Sequence, residues 1–114
     1  MKQPEDFLPL SQATYYILLS LRVKRHGYGI MQDVEEISQS EVKMGPGTLY
    51  GALGKLEKQQ VIQKVTVESD ERRKYYDLTE LGKQVLQKEY IRLRSLVNNA
   101  TDIIERLEVE EDGY

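Results

Sequence analysis

The chain contains no cysteine and no tryptophan, and it has one histidine, His26. Without cysteine, neither a disulfide framework nor a thiolate metal site can form. With a single histidine, zinc lacks a ligand set. No serine has a matched base and no phosphate-cradling glycine loop is present, so the sequence reads as a non-enzyme with no catalytic residues, metal or cofactor. His26 is expected to cap a turn or face solvent. Long apolar runs are missing as well. The longest near-continuous one, Tyr15 to Leu21, is far short of the roughly 20 residues a membrane helix needs. The polar start, Met1-Lys2-Gln3-Pro4-Glu5-Asp6, has no apolar signal core. The expectation is a soluble, cytoplasmic protein with no membrane partner.

What is present fits one small domain: 114 residues, 39% of them hydrophobic. A core of that size is limited, so oligomerisation is a natural route to further burial. The net charge of −3 disfavours nucleic acid if the chain is averaged, but distribution matters more than the total. Residues 1–40 carry four basic and five acidic groups, residues 41–76 seven and five, and residues 77–114 five and nine. The middle third is therefore positive, and the acid is gathered in the tail. Neighbouring pairs such as Glu35-Glu36 and Glu110-Glu111 diverge on a helix and suit a solvated face.

Apolar residues at Ala13, Ile17, Leu18 and Leu21 have helical spacing, predicting a first helix from Leu10 to about Lys24, with Ser11 as a candidate cap. After the break at His26-Gly27-Tyr28-Gly29, a second helix runs to about Gln39 with Ile30, Met31, Val34 and Ile37 inward. Met44-Gly45-Pro46-Gly47 punctuates the chain. A third helix, from about Gly47 to Gln59, turns Leu49, Ala52, Leu53 and Leu56 to the core. Val61 to Val67 is rich in β-branched residues and reads as a strand, Glu68 to Arg73 as a charged hairpin tip, and Lys74 to Leu78 as the returning strand. Thr79 then caps a helix with no breaker before Gly113 except Gly82. The fold class is mainly α with a small β-hairpin (α+β). Three helices and a hairpin are the parts of a winged helix-turn-helix, here followed by one long helix. Order alone leaves an arbitrary small α+β domain as the alternative.

The outward side of the third helix carries Gly51, Gly54, Lys55 and Lys58, flanked by Thr48 and Tyr50. Each interior glycine costs about 1 kcal/mol relative to alanine. Neither points at the core, whereas a surface that must approach another backbone closely would need them. Lysines neutralise phosphate, and Thr48 and Tyr50 can donate to phosphates or base edges. The plainer reading is a pair of tolerated surface glycines. Arg72-Arg73-Lys74 at the hairpin tip either pairs with Glu68, Asp70 and Glu71 or meets a phosphate backbone, for which arginine is the better fork of donors.

Leu86, Tyr90, Leu93, Val97, Ala100, Ile104 and Leu107 alternate at intervals of four and three, a heptad seam over roughly three heptads. A helix from Thr79 to Leu107 would be on the order of 40 Å long, more than a small winged domain can cover. The seam therefore predicts a second copy of the chain as partner, with a helix folded back on a monomer as the alternative. Ile17 is assigned to the same interface.

Three stretches carry a more specific signal: Gly27-Tyr28-Gly29-Ile30, then Gly45-Pro46-Gly47-Thr48-Leu49-Tyr50-Gly51-Ala52-Leu53, then Arg72-Arg73-Lys74-Tyr75-Tyr76-Asp77-Leu78-Thr79-Glu80-Leu81-Gly82. Together they resemble the PadR-type transcriptional regulators, from about Tyr15 to Gly82. The short extension beyond resembles the smaller subfamily with a single long terminal helix. The resemblance implies a winged helix-turn-helix over residues 1–78, a dimerisation helix and acidic tail over 79–114, and a homodimer that usually represses at a palindromic promoter site. It also implies that the helix bearing Thr48 and Tyr50 enters the major groove of double-stranded DNA, with the Arg72-Arg73 hairpin as wing. The assigned DNA surface is Tyr28, Lys43, Gly47, Thr48, Tyr50, Gly51, Lys55, Lys58, Arg72, Arg73 and Lys74. Some members of that subfamily stack aromatic drugs on tryptophan at the dimer interface, a residue this chain lacks; the resemblance and the chain's eight tyrosines together motivate a small aromatic or amphipathic effector between the two chains. The competing function is a winged-helix interaction or ligand-sensing scaffold that binds no DNA, which the overall acidity favours.

Overall fold

A computed structural model describes the backbone of residues 2–113 and the side chains of residues 2–107. The acidic side chains assigned to the tail at 108–112, Glu110 and Glu111 included, lie outside the described residues. The order is α1 (Gln12–Ser20), β1 (Arg25–His26), α2 (Gly27–Ile37), α3 (Pro46–Lys58), β2 (Ile62–Val65), β3 (Tyr75–Leu78) and α4 (Glu80–Gly113), with 3-10 turns at Pro4–Phe7 and Glu68–Asp70.

Each helix start has an identifiable cause. The Ser11 hydroxyl accepts the Thr14 amide at 3.1 Å, so α1 begins at Gln12. Nδ1 of His26 accepts the Gly29 amide at 3.0 Å and caps α2, the capping role expected of it. Pro46 occupies the first turn of α3, where its missing N–H costs nothing. The Thr79 hydroxyl accepts the Gly82 amide at 3.0 Å and opens α4. The chain reversal after α2 sits earlier than the Gly/Pro cluster suggested. Gln39 and Ser40 take left-handed φ values of 53° and 66°, and the Ser40 amide returns to the Glu35 carbonyl at 2.8 Å. Gly45-Pro46 starts the next helix instead of turning the chain.

The core joins Ile17, Leu18 and Leu21 with Ile30 and Val34, with Leu49, Leu53 and Leu56, and with Val61, Ile62, Tyr76, Leu78 and Val85. Ala13, Met31, Ile37 and Ala52 from the predicted inward stripes are half-buried at its edge. The hairpin strands pair antiparallel, Ile62 opposite Leu78 and Val65 opposite Tyr75. A third strand was not anticipated. β1 pairs with β3, Arg25 opposite Tyr76 and His26 opposite Tyr75, giving the order β1-β3-β2. Feeding that strand ends α1 at Ser20, four residues before the expected boundary, because the chain must turn to bring Arg25 to the sheet.

The long helix is rooted in the winged domain by its first three turns. Gly82 lies against the Val61 carbonyl so closely that a Cβ there would collide with it, and Val85 is fully buried. Glu89 is 1% exposed. Its carboxylate accepts the Leu10 amide at 2.8 Å and the Arg92 guanidinium at 2.5 and 3.1 Å. The Arg92 hydrogen bonds, helped by the Leu10 amide, hold that carboxyl below the usual range although burial acts in the opposite direction. Beyond this point α4 leaves the domain. Its 34 residues make a rod about 50 Å long.

Candidate nucleic-acid interface

Leu49, Leu53 and Leu56 pin one side of α3 into the core, which leaves Gly47, Thr48, Tyr50, Gly51, Gly54, Lys55 and Lys58 exposed. A Cβ built on Gly47, Gly51 or Gly54 would meet nothing within 4 Å. Packing within the protomer therefore gives no reason for these glycines, as their outward angles implied. Gly27 is different: a Cβ there would strike the Tyr50 hydroxyl, so this glycine lets the start of α2 and the ring of α3 come together.

The wing returns to the same place. Tyr28, Tyr50, Arg72, Arg73 and Lys74 line one open notch of about 450 Å³ with His26, Gly27 and Tyr76. Among the described residues no carboxylate lines it. Arg73 is partly neutralised, its Nε lying 3.5 Å from Asp70, which also accepts the Tyr75 hydroxyl at 3.1 Å. That hydrogen bond adds to burial in raising the Tyr75 phenol above its ordinary range. Among the described residues Arg72 and Lys74 make no salt bridge, so the tip's acidic residues neutralise only one of its three cations. The structure does not gather every residue of the expected surface. Lys43 is exposed in the loop before α3, outside the notch. Lys55 borders a separate groove shared with Phe7, Ser11 and Thr14. The sequence offers His26 only as a cap or a solvent-facing residue, and its place at the foot of the wing depends on the two-residue strand β1, too short to show a period.

The candidate dimer face needs one correction. Ile17 is 0% exposed and belongs to the protomer core, so it has no surface to offer a partner. At 100° per residue it points about 200° away from Tyr15 and Leu19. Those two face outward and, with Leu86, Gln87, Tyr90 and Ile91, form an apolar cleft of about 500 Å³ between α1 and α4. Burial pushes the Tyr15 phenol upward, and the nearby Glu89 carboxylate adds to this. Along α4, Leu86 packs partly on its own core, and Leu93 and Ala100 are half-buried. Tyr90, Val97, Ile104 and Leu107 are each more than half exposed. Leu96 and Ile103, equally exposed, add a third row beside the seam, giving a stripe wider than a two-helix contact uses. Among the described residues no helix is long and apolar enough to cross a membrane, and no cluster suited to a metal ion occurs.

Comparison with known proteins bears on this surface. The sequence model of the Transcriptional regulator PadR-like family matches residues 15–88. An uncharacterized protein X of Lysinibacillus sphaericus is 32% identical over 85 residues, 70% of this chain and 78% of that one. An uncharacterized 37.1 kDa protein in transposon TN4556 of Streptomyces fradiae is 38% identical over 64 residues, 56% of this chain. This chain spans only 17% of that longer relative. Among solved structures, a PadR family transcription regulator from Clostridium difficile R20291 superposes with a TM-score of 0.69 at 26% identity, covering 82% of this chain and 99% of that one.

Proposed function

The chain belongs to the PadR-like family of transcriptional regulators, and from that premise we propose that it acts as a homodimeric repressor at a two-fold symmetric promoter site. The family are DNA-binding winged-helix regulators, not enzymes. The observation that carries the finer reading is the shared notch: exposed side chains of α2, α3 and the wing converge on it with three cations and, among the described residues, no carboxylate. In this reading α3 enters the major groove. Gly47, Gly51 and Gly54 let its backbone approach DNA, and Thr48 and Tyr50 reach base edges or phosphates. Tyr28, Lys43, Lys55, Lys58 and Arg72 to Lys74 neutralise or grip the flanking backbone.

Residues 1–78 supply the DNA surface and residues 79–114 the dimer contact. The partner's copy of α4 covers the stripe of Tyr90, Val97, Ile104 and Leu107. Two-fold symmetry then places two α3 helices about one turn of DNA apart, roughly 34 Å, which matches a palindromic site. Anything seated between the chains changes that spacing and hence the affinity. The apolar cleft at Tyr15, Leu19 and Tyr90 is where a small aromatic or amphipathic effector would act, releasing the repressor. Calorimetry with phenolic and cationic aromatic compounds that gave no heat would remove the effector from this account.

An electrophoretic shift with the promoter next to its own gene tests the reading. Binding that weakens steeply with salt is the expected result. No binding to any fragment at low salt would leave the scaffold that the chain's acidity favours.

A further inference from the structure

His26 faces two hydrogen-bond donors and can accept from only one. Its Nδ1 lies 3.0 Å from the Gly29 amide, and its Nε2 lies 2.8 Å from Nη1 of Arg73. A neutral imidazole has one bare nitrogen, an arginine has no acceptor, and a protonated imidazole has no bare nitrogen at all. Whichever protonation state is taken, at least one ring N–H meets another N–H.

The surplus falls at Nε2. The Gly29 amide belongs to the first turn of α2 and has no other partner there, so the helix start holds Nδ1 as the acceptor and leaves the proton on Nε2. The ring has little room to turn away. Strand pairing sets His26 opposite Tyr75, and the two rings meet edge to face, 5.3 Å apart at 83°. The nearby carboxylate, Asp70, is engaged at the other end of the Arg73 fork, 3.5 Å from Nε. What relieves two opposed donors is an anionic oxygen that both can reach once the exposed Arg73 side chain draws back from the ring, because 2.8 Å leaves no room between them.

We propose that His26 is a DNA ligand, its Nε2–H and the Arg73 guanidinium together holding one backbone phosphate at the foot of the wing. The inference rests on the DNA-binding reading above and adds a neutral donor to its list of cations. The notch supports a phosphate of duplex DNA in particular: it is open to solvent, it adjoins α3, and Arg72, Lys74 and Tyr50 share its wall.

His26→Asn separates the two roles, because asparagine also caps a helix but its shorter side chain withdraws the donor. Circular dichroism melting should show the variant folded. Binding to the promoter next to its own gene and to a scrambled duplex of equal length is then measured by fluorescence anisotropy across a salt series. The variant should bind both duplexes about tenfold more weakly, with the slope of log K against log salt unchanged, because a neutral donor releases no counterion. Arg73→Ala should instead lower that slope by about one.

Nitrogen-15 NMR of the histidine ring supplies an independent readout. The free protein should show the proton on Nε2, and that resonance should shift on adding duplex but not on adding inorganic phosphate at equal ionic strength. A proton on Nδ1, unchanged affinity in His26→Asn, or a reduced salt slope in that variant would each overturn the proposal. A shift with inorganic phosphate alone would mark a free-anion site and overturn the assignment to DNA. Sensitivity to Arg72→Ala and Arg73→Ala without sensitivity to His26→Asn leaves the regulator reading intact and removes this one. Absence of wild-type binding to any duplex removes both.

Discussion

Replacing Val97 and Ile104 together by aspartate should dissolve the proposed dimer while leaving the single chain folded. Val97 is 65% exposed and Ile104 52% exposed in the single chain, so neither supports the winged domain. Burying a whole Val or Ile side chain contributes about 1.5–3 kcal/mol. The exposed fraction still available to a partner is then worth about 1–2 kcal/mol per side chain. Two-fold symmetry counts each substitution twice, so four side chains remove roughly 4–8 kcal/mol of association free energy. The carboxylates add a desolvation cost on top. At 1.4 kcal/mol per decade, the dimer constant should weaken by a factor on the order of a thousand or more. Sedimentation equilibrium across a concentration series measures this, with circular dichroism as the folding control. An association constant within tenfold of wild type would refute the assignment of α4 as the interface. So would loss of the folded protomer, because the two side chains would then be serving their own domain.

Arg72→Ala with Arg73→Ala should weaken binding to all duplexes alike and flatten the salt dependence, whereas Tyr50→Ala should harm the cognate site more than random DNA; titrations of both duplexes separate the two effects. Gly82→Ala should cost about 1–3 kcal/mol in denaturant unfolding, because its Cβ collides with the Val61 carbonyl, while Gly54→Ala should be neutral or stabilising to the protomer and harm only DNA binding. Glu89→Gln should lower the melting temperature at pH 7. The folded Glu89 carboxyl lies below its ordinary value, so its contribution is present above the unfolded value of about 4.3 and is lost as pH falls through the lower folded value. The gap between wild type and Glu89→Gln should therefore close in melts taken toward pH 3.

The parts legible in the sequence were those with a period or a punctuating residue. The stripe of Leu49, Leu53 and Leu56 fixed which side of α3 is buried and therefore which side is free. Ser11 and Thr79 marked helix starts by cap chemistry, and the spacing of seven residues on α4 drew the exposed stripe. What escaped was set by contacts distant in sequence. The strand at Arg25–His26 exists because β3 accepts it, and no pattern two residues long announces that. Glu89 falls outside the seam as an ordinary helical glutamate, yet it is buried, because the Leu10 amide, 79 positions earlier, sits against it. Ile17 was misassigned because an apolar residue on an amphipathic helix can face a core or a partner. Its position half a turn from Tyr15 and Leu19 decides the matter once the core is known. His26 was legible as a cap, but its second neighbour, Arg73, is 47 residues away.

In the proposed complex a pair of α3 helices, held by paired α4 helices, lies against one face of DNA. Hydroxyl-radical footprinting on the promoter next to its own gene tests it most directly. Two protected patches related by two-fold symmetry are expected, centred about one helical turn apart, roughly 10 base pairs, both lost together in the Val97→Asp, Ile104→Asp variant. A single asymmetric patch, or protection that survives in that variant at the same protein concentration, would contradict it.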